Sequence, residues 1–125
     1  MRLVIIGVLG AMLIACASGG NRRPAARDAD RITFAEIETL QVATAFEVVQ
    51  QLRPEFLRTR GPASVTSAAP VEAVVYLDGV RQGGPEALRR IRKQTLREIQ
   101  YLDSREATTQ FGTGHRAGAI MVVTR

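Results

Sequence analysis

The chain of 125 residues has one cysteine, one histidine and no tryptophan, and only 5% of its residues are aromatic. A lone cysteine closes no disulfide within the chain, so packing must hold the fold. One histidine and one cysteine do not make a zinc set, and no metal site or catalytic thiol is expected. The formal charge is +5, from 17 basic and 12 acidic side chains. Such a balance can signal nucleic acid, but with few rings to stack bases no nucleic-acid partner is expected. An anionic membrane surface or an acidic protein suits the charge better. No full G-x-G-x-x-G or P-loop pattern is present. No Ser–His–Asp set is suggested by spacing. The expectation is a chain without cofactor or catalytic residue, and not an enzyme. No apolar run reaches the roughly 20 residues that span a bilayer as a helix.

What the sequence does have begins at the N-terminus. Arg2 precedes a nearly unbroken apolar run over residues 3–15. A charged start, a short apolar core and small residues are the pattern of a secretory signal. Leu13-Ile14-Ala15-Cys16 resembles the bacterial lipobox, where cleavage before the cysteine leaves its sulfur to carry diacylglycerol. Residues 1–15 are therefore expected to be a lipoprotein signal peptide, and Cys16 the lipidated residue that anchors the chain to a membrane. Ala17, rather than Asp, follows the cysteine, a pattern that in a Gram-negative cell points to the outer membrane, facing the periplasm or the surface. Cleavage would remove Arg2 and leave 16 basic against 12 acidic side chains, a net +4. Residues 16–31 hold little to bury and are expected to be a flexible tether. Residues 32–125 remain as the folded domain.

Within that domain Thr33 and Glu36 have the spacing of a capping box, and Ile32 and Ile37 that of a hydrophobic staple. Ile37, Leu40, Thr44, Val48 and Leu52 continue at helical spacing, which predicts one helix from Thr33 to about Arg53, stopped by Pro54. Phe56 and Leu57 are expected to fold back onto the core. Residues 59–70, rich in Gly, Pro, Ser, Thr and Ala, read as a loop. Residues 71–77 read as a strand buried on both faces. Asp78-Gly79 then forms a turn. Gly83-Gly84 leads into Pro85 at the first position of a short helix, with Glu86 early and Arg89, Arg90, Arg92 and Lys93 late, as the helix dipole favours. Residues 96–102 make a second strand. Asp103 and Ser104 cap a helix over 105–110 that Gly112 stops. Residues 113–118 are a tight loop, and 119–124 a last, central strand. The expected fold is α/β (α+β): a small mixed β-sheet with short helices and right-handed crossovers. Leu88, Ile91, Ile99, Tyr101, Phe111, Ile120 and Val122 are its expected core.

The C-terminal half also resembles a known family. The carriers are V-V-Y-L-D-G-V-R (residues 74–81), Leu88 and Ile91, L-R-E-I-Q-Y-L-D (96–103), A-T-T-Q-F-G-T-G-H (107–115) and G-A-I-M-V-V-T-R (118–125). In this order they resemble the plug domain of TonB-dependent outer-membrane receptors, over about 50 residues, or about 65 with the helix from Thr33. The resemblance implies a plug-like fold. Members of that family continue into a transmembrane barrel of some 22 strands, each needing about 9–11 residues. Here the expectation is a plug-like domain alone, not a transporter by itself, with no identifiable TonB-pairing box in residues 17–31.

The tentative ligand or partner loops are those at Asp78, Gly79, Gly83, Gly84 and His115. Each also has an architectural reading: a turn at Asp78-Gly79, a helix entry at Gly83-Gly84, a structural or partner-contact role for His115. The expected function is a lipid-anchored envelope binding or adaptor module. The alternatives are a small-ligand binder, an accessory subunit of a separately encoded outer-membrane barrel and, less expected, an envelope enzyme.

Overall fold

The computed structural model describes residues 29–64 and 66–125. The expected signal peptide, Cys16 and the expected tether as far as residue 28 lie outside the described residues. The elements are β1 (Arg31–Ile32), α1 (Phe34–Glu38), α2 (Ala45–Leu52), a 3-10 turn (Pro54–Leu57), β2 (Arg60–Ser64), β3 (Ser67–Val71), β4 (Val74–Leu77) and β5 (Val80–Gly83). Two more 3-10 turns (Pro85–Arg90 and Lys93–Thr95), β6 (Leu96–Leu102), α3 (Ser104–Phe111) and β7 (Ala119–Thr124) complete the chain. A five-stranded mixed sheet runs in the order β1-β6-β7-β4-β5, and β2 and β3 pair separately. The fold is α+β, as the sequence implies.

β7 is the central strand. It runs parallel to β4, with Val75 opposite Ile120, and antiparallel to β6, with Ile99 opposite Val122. Alternation sends neighbouring residues of each strand to opposite faces. Val75, Ile99, Ile120 and Val122 join the main core with Ile32, Ile37, Val48, Leu88 and Leu96, all almost fully buried. Burial of each such side chain stabilises by roughly 1.5–3 kcal/mol. Val74, Tyr76, Leu102 and Ala119 pack on the other face beneath Ala107 of α3. Both faces of β4 are thus buried, which is why its sequence is uniformly apolar. The other expected core residues also take part: Ile91 is buried, and Tyr101 and Phe111 are partly buried against the two clusters. Phe56 is buried and Leu57 packs against the main core.

Six expectations change in the structure. The single helix over 33–53 is two. α1 ends at Glu38 with Thr39 as its C-cap, and Thr44 starts α2 with its own capping box, its hydroxyl accepting from Glu47 N. Leu40 and Val42 still pack against the core from the connecting segment, so the apolar spacing carries across the break. Residues 59–70 are not simply a loop, because β2 and β3 pair through backbone atoms, with Arg60 opposite Val71. Their Gly-, Pro- and Ala-rich composition has little strand propensity to signal it. The first long strand begins at Val74, since Val71 closes β3. Val80–Gly83 returns as strand β5 beside β4. Neither strand–helix–strand unit is a parallel crossover: β6 is antiparallel to β7, while β4 is parallel to β7. Lastly, the end of the expected tether belongs to the domain. Arg31 pairs opposite Gln100, Tyr101 N donates to Asp30 O (2.7 Å), and Arg53 Nε donates to Ala29 O (2.9 Å).

Candidate functional site

The residues singled out in the sequence sit at two ends of the sheet. Asp78 and Gly79 are the two-residue turn between β4 and β5, with φ of +47° and +84°. Positive φ at both positions gives the turn a twist that matches its strands. The Asp78 carboxylate accepts from Thr124 N (2.9 Å) and Thr124 Oγ1 (2.6 Å), and Asp78 N donates to Val122 O (2.9 Å). These bonds favour the ionised carboxylate and hold its pKa below the ordinary value. The turn is thereby fastened to the end of β7.

Gly83, Gly84 and His115 belong to the opposite end. Gly83 lies opposite Val75, and His115 precedes β7. Gly84 caps the 3-10 turn that begins at Pro85, which has no N–H to offer. His115 is only 4% exposed. Its Nδ1 is 2.8 Å from Gly112 O, so Nδ1 carries the proton and donates. Nε2 is then the acceptor for the Tyr76 hydroxyl, at 2.8 Å. Tyr76 stacks on Phe111 with ring centroids 3.9 Å apart. His115 therefore locks the loop after α3 onto β4. The structure does not bring Asp78, Gly84 and His115 into one site.

A different feature gathers polar side chains from three separate elements. An open hollow of about 650 Å³ lies between the segment that joins α1 to α2, the exposed side of α2, and the turn at Lys93 and Gln94. Gln41 comes from the first, Gln50 and Gln51 from the second and Gln94 from the third, and all four are exposed. The walls are fixed by hydrogen bonds. Lys93 N donates to Ala43 O (2.9 Å) and Ala45 N to Ile91 O (2.8 Å), and Thr44 pairs with Arg92. The Lys93 ammonium donates to Leu40 O and also to Glu38 O. Glu47 Oε2 accepts from Ala43 N (2.8 Å) and Thr44 N (3.2 Å), and these backbone bonds hold its pKa low. One cation, Lys93, and one anion, Glu47, thus line the same space.

The hollow was hidden in the sequence because it forms where a continuous helix was expected. The signal that could have found it is the second T-x-x-E spacing, Thr44 to Glu47, which repeats the Thr33 to Glu36 spacing eleven residues earlier. Lys93 entered the sequence reading only as one charge of a basic cluster. Its ammonium is committed to the backbone of the α1–α2 segment. Arg89, in the same cluster, bonds Glu86 (2.6 Å) and lies over the Phe46 ring, 3.8 Å from its centroid. Among the described residues no helix is long and apolar enough to cross a membrane. No protein-family model, curated protein or solved structure matches the chain.

Proposed function

We propose that this protein is a lipid-anchored binding or adaptor module of the bacterial cell envelope, sited at the outer membrane, with a plug-like domain as its working part. The observation that carries the reading is the chain's one cysteine, placed directly after Leu13-Ile14-Ala15 at the end of a short apolar run. The domain's first described contacts come at Asp30 and Arg31, some fourteen residues after Cys16 in the sequence. Metabolic palmitate labelling of the wild type and of Cys16→Ala, with membrane fractionation, tests it. Label and outer-membrane recovery should both vanish in the variant. A wild type that carries no label and fractionates as a soluble protein overturns the anchor. A second reading, an accessory subunit of a separately encoded barrel, rests on the plug resemblance over residues 74–125. It predicts that cross-linking in intact cells recovers a barrel protein with the wild type.

A further inference from the structure

We propose that the glutamine-lined hollow is a binding site for a neutral, hydroxyl- and acetamide-bearing ligand of the N-acetylated oligosaccharide class. The proposal rests on the envelope reading only for the source of such a ligand, an extracytoplasmic glycan. Its volume of about 650 Å³ falls within the roughly 300–1,000 Å³ of small-molecule sites.

The chemistry of the lining selects the ligand. A primary amide carries a two-proton donor and a two-lone-pair acceptor on one planar group. It can therefore donate to one hydroxyl of a sugar and accept from its neighbour. Four such amides, Gln41, Gln50, Gln51 and Gln94, surround the hollow. Lys93 has three N–H donors, two of them engaged by Leu40 O and Glu38 O, so one remains. The two N–H bonds to Glu47 both go to Oε2, and a carboxylate has lone pairs beyond those two. Lys93 and Glu47 bring one cation and one anion to the lining, a pair that suits a neutral polar ligand able both to donate and to accept. Leu40, Val42 and Ala43 add a small apolar area, suited to an acetamido methyl or the C–H face of a pyranose. An extended peptide would need instead an open strand edge or a deep apolar side-chain pocket, and this lining comes from helix, turn and coil. The backbone bonds that hold Ala43, Thr44 and Lys93 set the walls before a ligand arrives, which lowers the ordering cost of binding.

The test uses the full-length protein in detergent micelles, 15N-labelled and titrated with chitotetraose, with cellotetraose and a neutral hexapeptide in parallel. Chitotetraose should shift the side-chain amide signals of Gln41, Gln50, Gln51 and Gln94 and saturate them below about 10 mM, an affinity of a few kcal/mol. Cellotetraose, without acetamido groups, should bind at least about threefold more weakly. The double variant Gln50→Ala/Gln51→Ala should weaken chitotetraose binding about tenfold, a change of about 1.4 kcal/mol, with an unfolding temperature equal to that of the wild type. Arg81→Ala, an exposed β5 side chain that is not part of the hollow's lining, serves as a control that leaves binding unchanged. Absence of shifts at these amides, shifts confined to other residues, or saturation of the hollow by the peptide and not the sugar would each overturn the proposal. The palmitate result is read separately. A hollow that binds sugar in a chain that is never lipidated keeps this inference and removes the envelope reading, and an anchored chain whose hollow binds no sugar does the reverse.

Discussion

Replacing Gly118 by alanine isolates what the sheet demands of one backbone position. Gly118 has φ +82°, and a Cβ there would lie 2.3 Å from Leu102 O, 2.6 Å from Tyr101 Oη and 2.8 Å from Tyr101 Cζ. Gly79 has nearly the same φ, +84°, with nothing within 4 Å of its Cβ position. The conformational cost of an L-residue at these angles is roughly 1–2 kcal/mol and common to both. At Gly79 it is the whole effect. At Gly118 the added methyl also overpacks a contact that cannot yield easily, because Leu102 O is backbone of β6, and overpacking costs about 1–3 kcal/mol. Moving the Tyr101 ring aside would also break its hydroxyl's bond to Ala117 O (2.8 Å), worth roughly 0.5–1.5 kcal/mol. Gly118→Ala should therefore destabilise by about 3–5 kcal/mol against about 1–2 for Gly79→Ala, out of a total stability of roughly 5–15. At about 4–8 °C per kcal/mol for a domain of this size, the two melting temperatures should separate by more than about 8 °C. Urea unfolding gives the same comparison free of thermal aggregation. Adding Tyr101→Phe should restore little, since it leaves the carbonyl and Cζ collisions in place. Equal losses at the two glycines would refute the reasoning, because they would mean that φ alone sets the cost and the close approach of β7's entry to β6 carries none.

His115→Ala and Tyr76→Phe should both lower the unfolding midpoint, the second by about 1–3 kcal/mol because it leaves a buried imidazole nitrogen without a donor; a stable His115→Ala protein that had lost ligand binding would instead restore a functional role to the imidazole. Thr44→Ala removes the hydroxyl that accepts from Glu47 N and should cost about 1 kcal/mol in urea unfolding, with α2 helicity reduced in circular dichroism. The pH dependence follows from three carboxylates, Glu36, Glu47 and Asp78, whose folded pKa values lie below their ordinary ones because each accepts hydrogen bonds from a threonine or its neighbour. A depressed pKa adds stability that is present above the unfolded value, about 4, and is lost as pH falls through the folded value. The stability these three carboxylates contribute should be lost as pH falls below about 4, and the acid fall of the unfolding midpoint should be shallower in Asp78→Asn, measured by unfolding at a series of pH values. Tyr101 is shifted the other way, upward, chiefly by burial, so stability should also fall as pH rises past about 10.

The parts of the fold that were legible in the sequence are those with a local cause. β6 runs from Leu96 to Leu102 as its pattern implies, and α3 begins at the Asp103 cap, whose carboxylate accepts from Arg105 N (2.7 Å) and Glu106 N (2.8 Å). Thr33 and Glu36 form their capping box, with Thr33 N donating to the Glu36 carboxylate (2.8 Å), and Ile32 and Ile37 share the core. The central place of β7 was also legible, from an apolar run too uniform for an edge. What was not legible depends on pairing at a distance. β5 has three exposed residues, Val80, Arg81 and Gln82, with Val80 62% exposed, so nothing in its composition marks a strand. β2 and β3 pair through backbone groups, which no side-chain pattern in the sequence reports. The break between α1 and α2 is held by Lys93 and Ile91, some fifty residues away, and no local signal reports a tertiary contact of that kind. The bond between Asp78 and Thr124 is of the same type: the turn at Asp78-Gly79 could be read, its clamp on β7 could not.

The residues that close the sheet and the residues that build the hollow are almost entirely separate. The sheet-closing residues lie in β4, the Asp78-Gly79 turn, β6, α3 and β7, elements bound to one another by β7's pairing with β4 and β6, the Asp78 clamp and the His115 lock. The hollow draws on residues 40–51, ahead of β4 in the chain, and on Lys93 and Gln94, just before β6. Substitutions at Gln50 and Gln51 remove exposed side chains that hold no backbone, whereas substitutions at Asp78, Tyr76 or His115 disturb bonds that close the sheet. Loss of binding with stability unchanged can therefore arise on the helix side of this domain and not at its sheet ends. It follows that the two halves can serve different purposes. The C-terminal half closes the sheet, and in the binding proposed above the amides of Gln41, Gln50, Gln51 and Gln94, gathered by the break between α1 and α2 and the turn at Lys93, would set the specificity.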